Sequence, residues 1–216
     1  MSLYLKQFET QAAYEAAESG LILPNVSLTL DNNTVHYNPS SPTPSQEYVD
    51  LGLPSGTKWA KCNVGATSET EYGNYYQYGK GANQYAATSG QSDYSGTENP
   101  LALSADTAVQ VLGGSWHMPT KAQFEELTAN TTYEWTTING VNGRKFTAQN
   151  GNYVFFPAAG FWSDGTHYGV GGGGNYWSST PCDSDNSYSL AFDDENMYVD
   201  GGQKAGGCSV RGVVNE

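Results

Sequence analysis

The sequence predicts an α+β domain of irregular antiparallel sheets with two short helices, preceded by a small helix-hairpin unit. Three observations carry this expectation. First, the chain holds 26 Gly and 16 Tyr among 216 residues, and only 14% of it is charged; such a composition favours turns and half-buried strands over long helices. Second, Asn-Gly pairs at Asn139-Gly140, Asn142-Gly143 and Asn150-Gly151 alternate with strand-like runs, the pattern of hairpins. Third, past residue 47 only two short stretches repeat apolar residues at helical spacing.

Taken in order, residues 1–39 read as a small attachment or oligomerisation unit. Gln7 to Ser19 is rich in Ala and Glu, with Leu5, Phe8, Ala12 and Ala16 on one stripe and Gly20 as a stop. Val26, Leu28 and Leu30 then alternate with polar residues before Asp31-Asn32-Asn33-Thr34, and Val35 and Tyr37 return, so a hairpin follows the helix. A unit this small needs a neighbour to bury its apolar side. Residues 40–46, rich in Pro and Ser, read as a stiff linker.

Residues 47–216 form the larger domain. Leu51 and Leu53 open it, and Pro54-Ser55-Gly56-Thr57 turns the chain into Lys58-Trp59-Ala60. Ser104 is placed to cap a helix carrying Ala105, Ala108, Val109 and Leu112 up to Gly113. Thr120 and Gln123 form a capping box for a second helix, with Phe124 and Leu127 on its core side. Strands are then expected at Tyr133–Thr137, Arg144–Thr147 and Tyr153–Phe156. In the last third, 12 glycines lie between Gly160 and Gly212. Tyr188, Leu190 and Phe192 alternate there, as do Met197 and Val199. Short strands joined by loops are expected.

Charge and motifs exclude several classes of function. Nine Lys+Arg against 22 Asp+Glu give 9 − 22 = −13. Such a chain does not track nucleic-acid phosphates and is repelled by an anionic membrane surface. No apolar run is long enough to span a bilayer. The first ten residues lack a basic segment leading into an apolar one, so a secretory leader is not expected there. Cys62, Cys182 and Cys208 make an odd set without a CxxC pair, and neither a zinc site nor a disulfide framework is expected. His36, His117 and His167 lie far apart in sequence and read as structural. Asp183, Asp185, Asp193, Asp194 and Glu195 do not follow the spacing of a calcium loop. No nucleophile elbow, zinc-protease helix, phosphate loop or dinucleotide fingerprint is present, and GGGGN at 171–175 does not lead into a helix. No enzyme activity, cofactor or metal is therefore expected. Residues 175–208 instead carry the Tyr, Trp, Ser, Gly, Asn and Asp of an adaptable binding surface.

Longer motifs carry a resemblance. Residues 49–60, VDLGLPSGTKWA, with Asn63-Val64-Gly65-Ala66, resemble the opening of a C-type-lectin-fold domain found in gut bacteria and their phages. So do GSWHMPT at 114–120 running into Phe124-Glu125-Glu126-Leu127, Pro157-Ala158-Ala159-Gly160, Tyr176-Trp177-Ser178-Ser179-Thr180, Tyr188-Ser189-Leu190 and Ser209-Val210-Arg211. The fold is related to formylglycine-generating, sulfatase-modifying domains. Within it, the C-terminal stretch is similar to the variable proteins of diversity-generating retroelements, of which the phage major tropism determinant is the type example.

That resemblance implies a ligand-binding face altered by adenine mutagenesis, here about residues 175–212. Adenine changes in AAC codons reach Asn, Asp, Tyr, Ser, Gly, Ala and Cys but not Lys, Glu, Gln, Met or Trp. The implied ligand-facing positions are Cys182, Asp183, Asp185, Asn186, Ala191, Asp193, Asp194, Asn196, Tyr198, Asp200, Gly201, Gly202, Ala205, Gly206 and Cys208. Trp177, Glu195, Met197, Gln203 and Lys204 fall outside the reachable set and are expected to be fixed. Tyr176, Trp177, Tyr188, Leu190 and Phe192 are expected to hold the backbone. The implied protein is a receptor-binding adhesin of a phage tail or fibre, whose partner is a host cell-surface protein or glycan. Its N-terminal unit would join other virion tail proteins or further copies of the chain. The alternative is a bacterial cell-surface or fimbrial module of the same fold with a fixed surface. The calcium-dependent sugar-binding triplets of C-type lectins are missing, since Glu98-Asn99-Pro100 has another order. A formylglycine-type oxidase needs a close cysteine pair, and Cys182 and Cys208 are far apart in sequence.

Overall fold

A computed structural model describes residues 26–31, 34–39, 46–85, 94, 96–99 and 101–215. The chain divides into two units, Met1–Ser45 and Gln46–Glu216. In the first, β1 (Val26–Asp31) pairs antiparallel with β2 (Thr34–Pro39) in a register running from Val26 opposite Pro39 to Asp31 opposite Thr34. That is the hairpin expected from alternation. The expected helix at 7–19 and most of the 40–46 linker lie outside the described residues.

The second unit is α+β and mostly strand. Its short elements are β3 (Tyr48–Asp50), β4 (Lys58–Ala60) and β5 (Tyr76–Gln77), followed by helices α1 (Thr107–Leu112) and α2 (Lys121–Asn130). Then come β6 (Thr131–Ile138), β7 (Val141–Ala148), β8 (Tyr153–Pro157), β9 (Phe161–Ser163) and β10 (Thr166–Tyr168). The chain closes with β11 (Gly173–Pro181), β12 (Asn186–Asp193), β13 (Met197–Gln203), β14 (Gly207–Cys208) and β15 (Val213–Val214). They build four small sheets with strand orders β15-β4-β3, β10-β9-β14-β5, β6-β7-β8 and β11-β12-β13, all paired antiparallel. Because β15 pairs with β4, the end of the unit is tied to its beginning.

The turn chemistry explains the long meander. Asn139 and Gly140 both take positive φ (49° and 81°), as a tight turn between β6 and β7 requires, and Gly151 (φ 86°) serves the turn from β7 to β8. Asn142-Gly143 is not a turn. It lies inside β7, where Gly143 sits between Thr136 and Pro157, and a side chain there would run into the Phe156 carbonyl. The glycine serves close strand approach.

The helices differ in how well their starts were expected. Thr120 accepts from the Gln123 amide at 3.2 Å while Gln123 Oε1 accepts from the Thr120 amide at 2.9 Å, so the capping box of α2 is formed. The first helix starts later than the Ser104 reading. Asp106 is its cap, accepting from Val109 N at 3.0 Å, and its carboxylate also takes the Met118 amide at 2.9 Å. Asp106 thereby ties α1 to the segment entering α2, a tie that a serine hydroxyl is too short to make. Burial pushes this carboxyl up against the downward pull of those amides.

Two apolar cores meet at β11. Tyr176 belongs to the first, with Leu51, Leu53, Trp59, Phe124, Phe146, Phe156, Leu190 and Phe192. Trp177, the next residue, points the other way into the second, with Tyr76, Tyr78, Ala108, Met118 and Val210. Between them lies a buried polar hub. Arg211 donates to Asn63 Oδ1 at 2.8 Å, to the carbonyls of Ala60 (3.0 Å), Lys61 (2.9 Å) and Phe155 (2.8 Å), and stacks 4.6 Å from the Phe156 ring centre. Asn63 in turn donates to the Tyr176 hydroxyl at 3.2 Å, which donates to the Pro157 carbonyl at 2.6 Å. Each partner is satisfied, which is what makes a buried guanidinium tolerable.

No helix among the described residues is long and apolar enough to cross a membrane.

Candidate functional site

The site is built on the three-stranded sheet β11-β12-β13. Side chains alternate across a strand, so its residues divide into two sets. Toward the first core point Tyr176, Leu190 and Phe192, with Met197 and Val199 packed against it. Toward the other side point Asn175, Trp177, Ser189, Ala191, Tyr198, Asp200 and Gly202, in the cross-strand rows Asn175–Ala191–Tyr198 and Trp177–Ser189–Asp200. The second core covers this outer face as far as Trp177. Beyond that it opens, and Tyr198 is 59% exposed.

At the boundary lies a cleft of about 160 Å³, lined by Phe161, Trp162, Ser163, Asn175, Trp177, Ser189, Gly202, Gln203, Gly206 and Cys208. One wall comes from the β9–β10 hairpin, whose turn Asp164-Gly165 has positive φ at both residues (47° and 72°). His167, in β10, stacks on Trp162 with ring centres 4.5 Å apart and planes 9° apart. Its Nε2 lies 3.1 Å from the Ala159 carbonyl, which also accepts the Tyr75 hydroxyl at 2.6 Å. Tyr85 stacks on Trp162 at 5.8 Å, and its hydroxyl accepts the Gly165 amide at 3.2 Å. The Trp162 wall is thus held by ring contacts and by a pinned hairpin turn.

The structure sorts the fifteen expected ligand-facing residues into four groups. Ala191, Asp193, Tyr198, Asp200 and Gly202 share the outer face of the sheet. Cys182, Asn186 and Gly201 gather at the other face near Tyr188: a side chain added at Gly201 would meet Cys182 Sγ at 3.6 Å and Asn186 Cβ at 3.9 Å. Asp183, Asp185, Asp194, Asn196, Ala205 and Gly206 occupy the connecting loops. Cys208 is buried in the second core, reaching the cleft only as part of its floor, and burial pushes its thiol up.

Two of the expected carboxylates spend their oxygens inside the chain. Asp183 Oδ1 accepts from the amides of Asp185 and Asn186, each at 2.8 Å. Asp193 Oδ1 accepts from those of Glu195 (2.9 Å) and Asn196 (2.6 Å). The bond from the Asn186 side chain and those amides hold Asp183 below the usual carboxylate range, and the Asn196 and Glu195 amides do the same to Asp193. Both are turn-forming residues.

Of the expected scaffold residues, Tyr176, Trp177, Leu190 and Phe192 are buried. Tyr188 is not. It is half-exposed, with Lys121 Nζ 5.2 Å from its ring centre, and belongs to neither apolar core. Lys204, expected to be fixed, is 1% exposed. Its Nζ donates to the carbonyls of Gly96 (2.8 Å), Asp183 (2.7 Å) and Ser184 (3.2 Å), and burial lowers its pKa. It pins the β11–β12 loop from beneath. Glu195 and Gln203, also expected to be fixed, are exposed.

Sequence reasoning missed the β9–β10 wall: Phe161, Trp162 and Ser163. The signal was present, since Asp164-Gly165 between Phe161-Trp162-Ser163 and Thr166-His167-Tyr168 is a two-residue hairpin turn. The run of glycines after it concealed that pattern. Cys62, Cys182 and Cys208 are free thiols. No group of three His, Cys, Asp or Glu among the described residues is placed to hold a metal ion. Compared with protein-family models, curated proteins and solved structures, the chain matches none.

Proposed function

We propose that the protein is a non-enzymatic receptor-binding adhesin of C-type-lectin fold, carried on a phage tail or fibre. Its outer sheet face and the adjoining cleft bind a host cell-surface ligand. One observation carries the reading. The exposed or half-buried residues of that face are Asn175, Ala191, Tyr198, Asp200 and Gly202, all types that adenine mutagenesis of AAC reaches; of the types it does not reach, Trp177 and Lys204 are buried and hydrogen-bonded, while Glu195 and Gln203 are exposed off that face. A face that varies on strands held from behind changes its ligand without changing its fold. Tyr198 offers an aromatic anchor, and the small residues around it leave room for a partner. Several copies on one particle would raise weak binding by avidity, with the N-terminal unit attaching the protein to the virion or to further copies.

Sequencing the DNA beside the gene tests this. The expected result is a near-copy of the codons for about residues 175–212, differing only at adenines and lying next to a reverse transcriptase gene. Absence of such a copy would remove the variable adhesin and leave the bacterial surface or fimbrial module with a fixed face.

A further inference from the structure

Resting on the ligand-binding reading, we infer that the free edge of β13 takes up an extended segment of a partner protein as a fourth strand of the β11-β12-β13 sheet. The segment alternates apolar with basic residues. Four observations select that edge and that occupant. The first is that the two edges of the sheet are unlike. Beyond β11, bridges from Tyr176 to Ser209 and from Gly174 to Gly160 close the sheet. Beyond β13, no strand pairs among the described residues.

The second is the direction of the backbone groups. Lys204 N donates to the Asp185 carbonyl at 2.9 Å, and Asp193 N donates to the Asn196 carbonyl at 3.0 Å. Asn196 and Lys204 therefore face across the ladder, and by alternation so do Tyr198, Asp200 and Gly202. Met197, Val199, Gly201 and Gln203 turn their N–H and C=O outward. Gly201 N agrees, since it donates to Asp200 Oδ1 at 2.7 Å and not across the ladder. The Gln203 carbonyl accepts the Gly206 amide at 2.9 Å. Both backbone groups of Met197 and Val199, with the Gly201 carbonyl and the Gln203 amide, then form one row with no partner among the described residues.

The third is that the edge is unguarded. β13, MYVDGGQ, runs seven residues in unbroken register without Pro, Lys or a bulge, the devices that blunt an edge. The outer strands β3, β5, β10 and β15 are instead only two or three residues long.

The fourth is what flanks the row. A side chain laid beside Met197 or Val199 shares their face, and both are half-buried against the first core. An apolar residue there extends that burial. A side chain laid beside Asp200 shares the outer face, where Asp200 is exposed, as are Asp194 and Glu195 at the turn into β13. A basic residue is paired there and an acidic one repelled. The net charge of −13 likewise disfavours a second copy of the chain as the occupant. Main-chain bonds do not depend on side-chain identity, so this edge holds a partner even while Tyr198 and Asp200 vary.

The test uses the full chain and short capped peptides, followed by backbone amide NMR. One peptide alternates Val and Lys, and a second alternates Val and Glu. Two further forms of the first are N-methylated on every valine or on every lysine. The Val-Lys peptide is expected to bind with a dissociation constant on the order of 1 mM. It should slow amide exchange at Met197 and Val199 roughly fivefold or more at saturation. The Val-Glu peptide should bind at least about tenfold more weakly. The two N-methylated forms should differ by about tenfold or more, because only alternate amides of a strand face its neighbour. That comparison needs no variant of the protein. Val199→Pro, which removes an outward N–H and no bond to β12, should abolish binding while the amide signals of β11 and β12 stay in place. Equal affinity of the two N-methylated forms, equal or tighter binding of the Val-Glu peptide, or unchanged exchange at Met197 and Val199 would each overturn the assignment. So would self-association of the chain that Val199→Pro removes, since a second copy would then be the occupant. The two readings fail separately. A mutagenised DNA copy without strand addition sinks only the edge, and strand addition without the copy sinks only the variable adhesin.

Discussion

The two faces of the β11-β12-β13 sheet share the same three strands yet obey opposite rules. On the inner face, Tyr176, Leu190 and Phe192 are shut into a core of aromatic rings, with Tyr176 and Phe192 stacked at 5.9 Å and Phe156 edge-on to Tyr176 at 4.9 Å. On the outer face, Tyr198 and Asp200 are exposed and Ala191 is half-buried, although each is next in the chain to a residue that points toward that core. The difference teaches that strand alternation separates the packed side from the proposed binding side only where the second core stops, past Trp177 and Ser189. There, one side of a strand is under packing constraint while Tyr198 and Asp200 on the other are exposed.

The largest expected break lies behind the inner face. Arg211→Ala strips four hydrogen bonds from buried acceptors and a ring contact from Phe156, and should cost on the order of 4 kcal/mol or prevent folding, as read by denaturant unfolding. Leu190→Ala should follow at about 3 kcal/mol, through the cavity it opens against α2 and Phe192.

Two glycines make the contrast sharper. A methyl group at Gly174 would lie 2.7 Å from Phe192 Cζ and 3.0 Å from Tyr176 Cε2, so Gly174→Ala should cost about 1–3 kcal/mol by overpacking. At Gly202 it would meet Trp177 at 3.5 Å and Ser189 Oγ at 3.6 Å, ordinary contacts. Gly202→Ala should leave stability within about 0.5 kcal/mol while narrowing the cleft. Equal costs for the two would erase the distinction between faces.

The smallest effect is one of pH. Asp183 and Asp193 are held below the ordinary carboxylate range in the folded chain, so the stability they contribute is present above the unfolded aspartate value of about 3.9 and lost as pH falls through their lowered values. Asp183→Asn with Asp193→Asn should flatten the acid limb of the unfolding curve, by lowering stability slightly at neutral pH while leaving it unchanged below the lowered values. An unaltered acid limb would show that these turns do not depend on carboxylate charge.

Much of the frame was legible in residue types. The Thr120–Gln123 cap, the turns at Asn139-Gly140 and Asn150-Gly151, and the alternation of Leu190 and Phe192 are local signals, and the structure follows them. What was not legible depended on distant partners. Asp106 outcompetes Ser104 as a cap because Met118, twelve residues on, offers its amide to the same carboxylate. Gly143 looks like a turn residue until β8 is laid against it. At the site, sequence gathered fifteen residues, but alternation gave only five of them to one face, and local hydrogen bonds took Asp183 and Asp193 for turns. The Trp162 wall lies outside the C-terminal stretch altogether, so its part in the cleft emerges only when β9 pairs with β14.

The most direct test compares two triple variants of one sheet. Ala191→Ser/Tyr198→Ser/Asp200→Ser alters the outer face, and Tyr176→Ala/Leu190→Ala/Phe192→Ala the inner, each followed by urea unfolding and by binding to host cells. The account predicts that the outer variant unfolds within about 1 kcal/mol of the parent but no longer binds, while the inner variant does not fold. An outer variant that binds as well as the parent, or that loses as much stability as the inner one, would contradict the separation of the two faces.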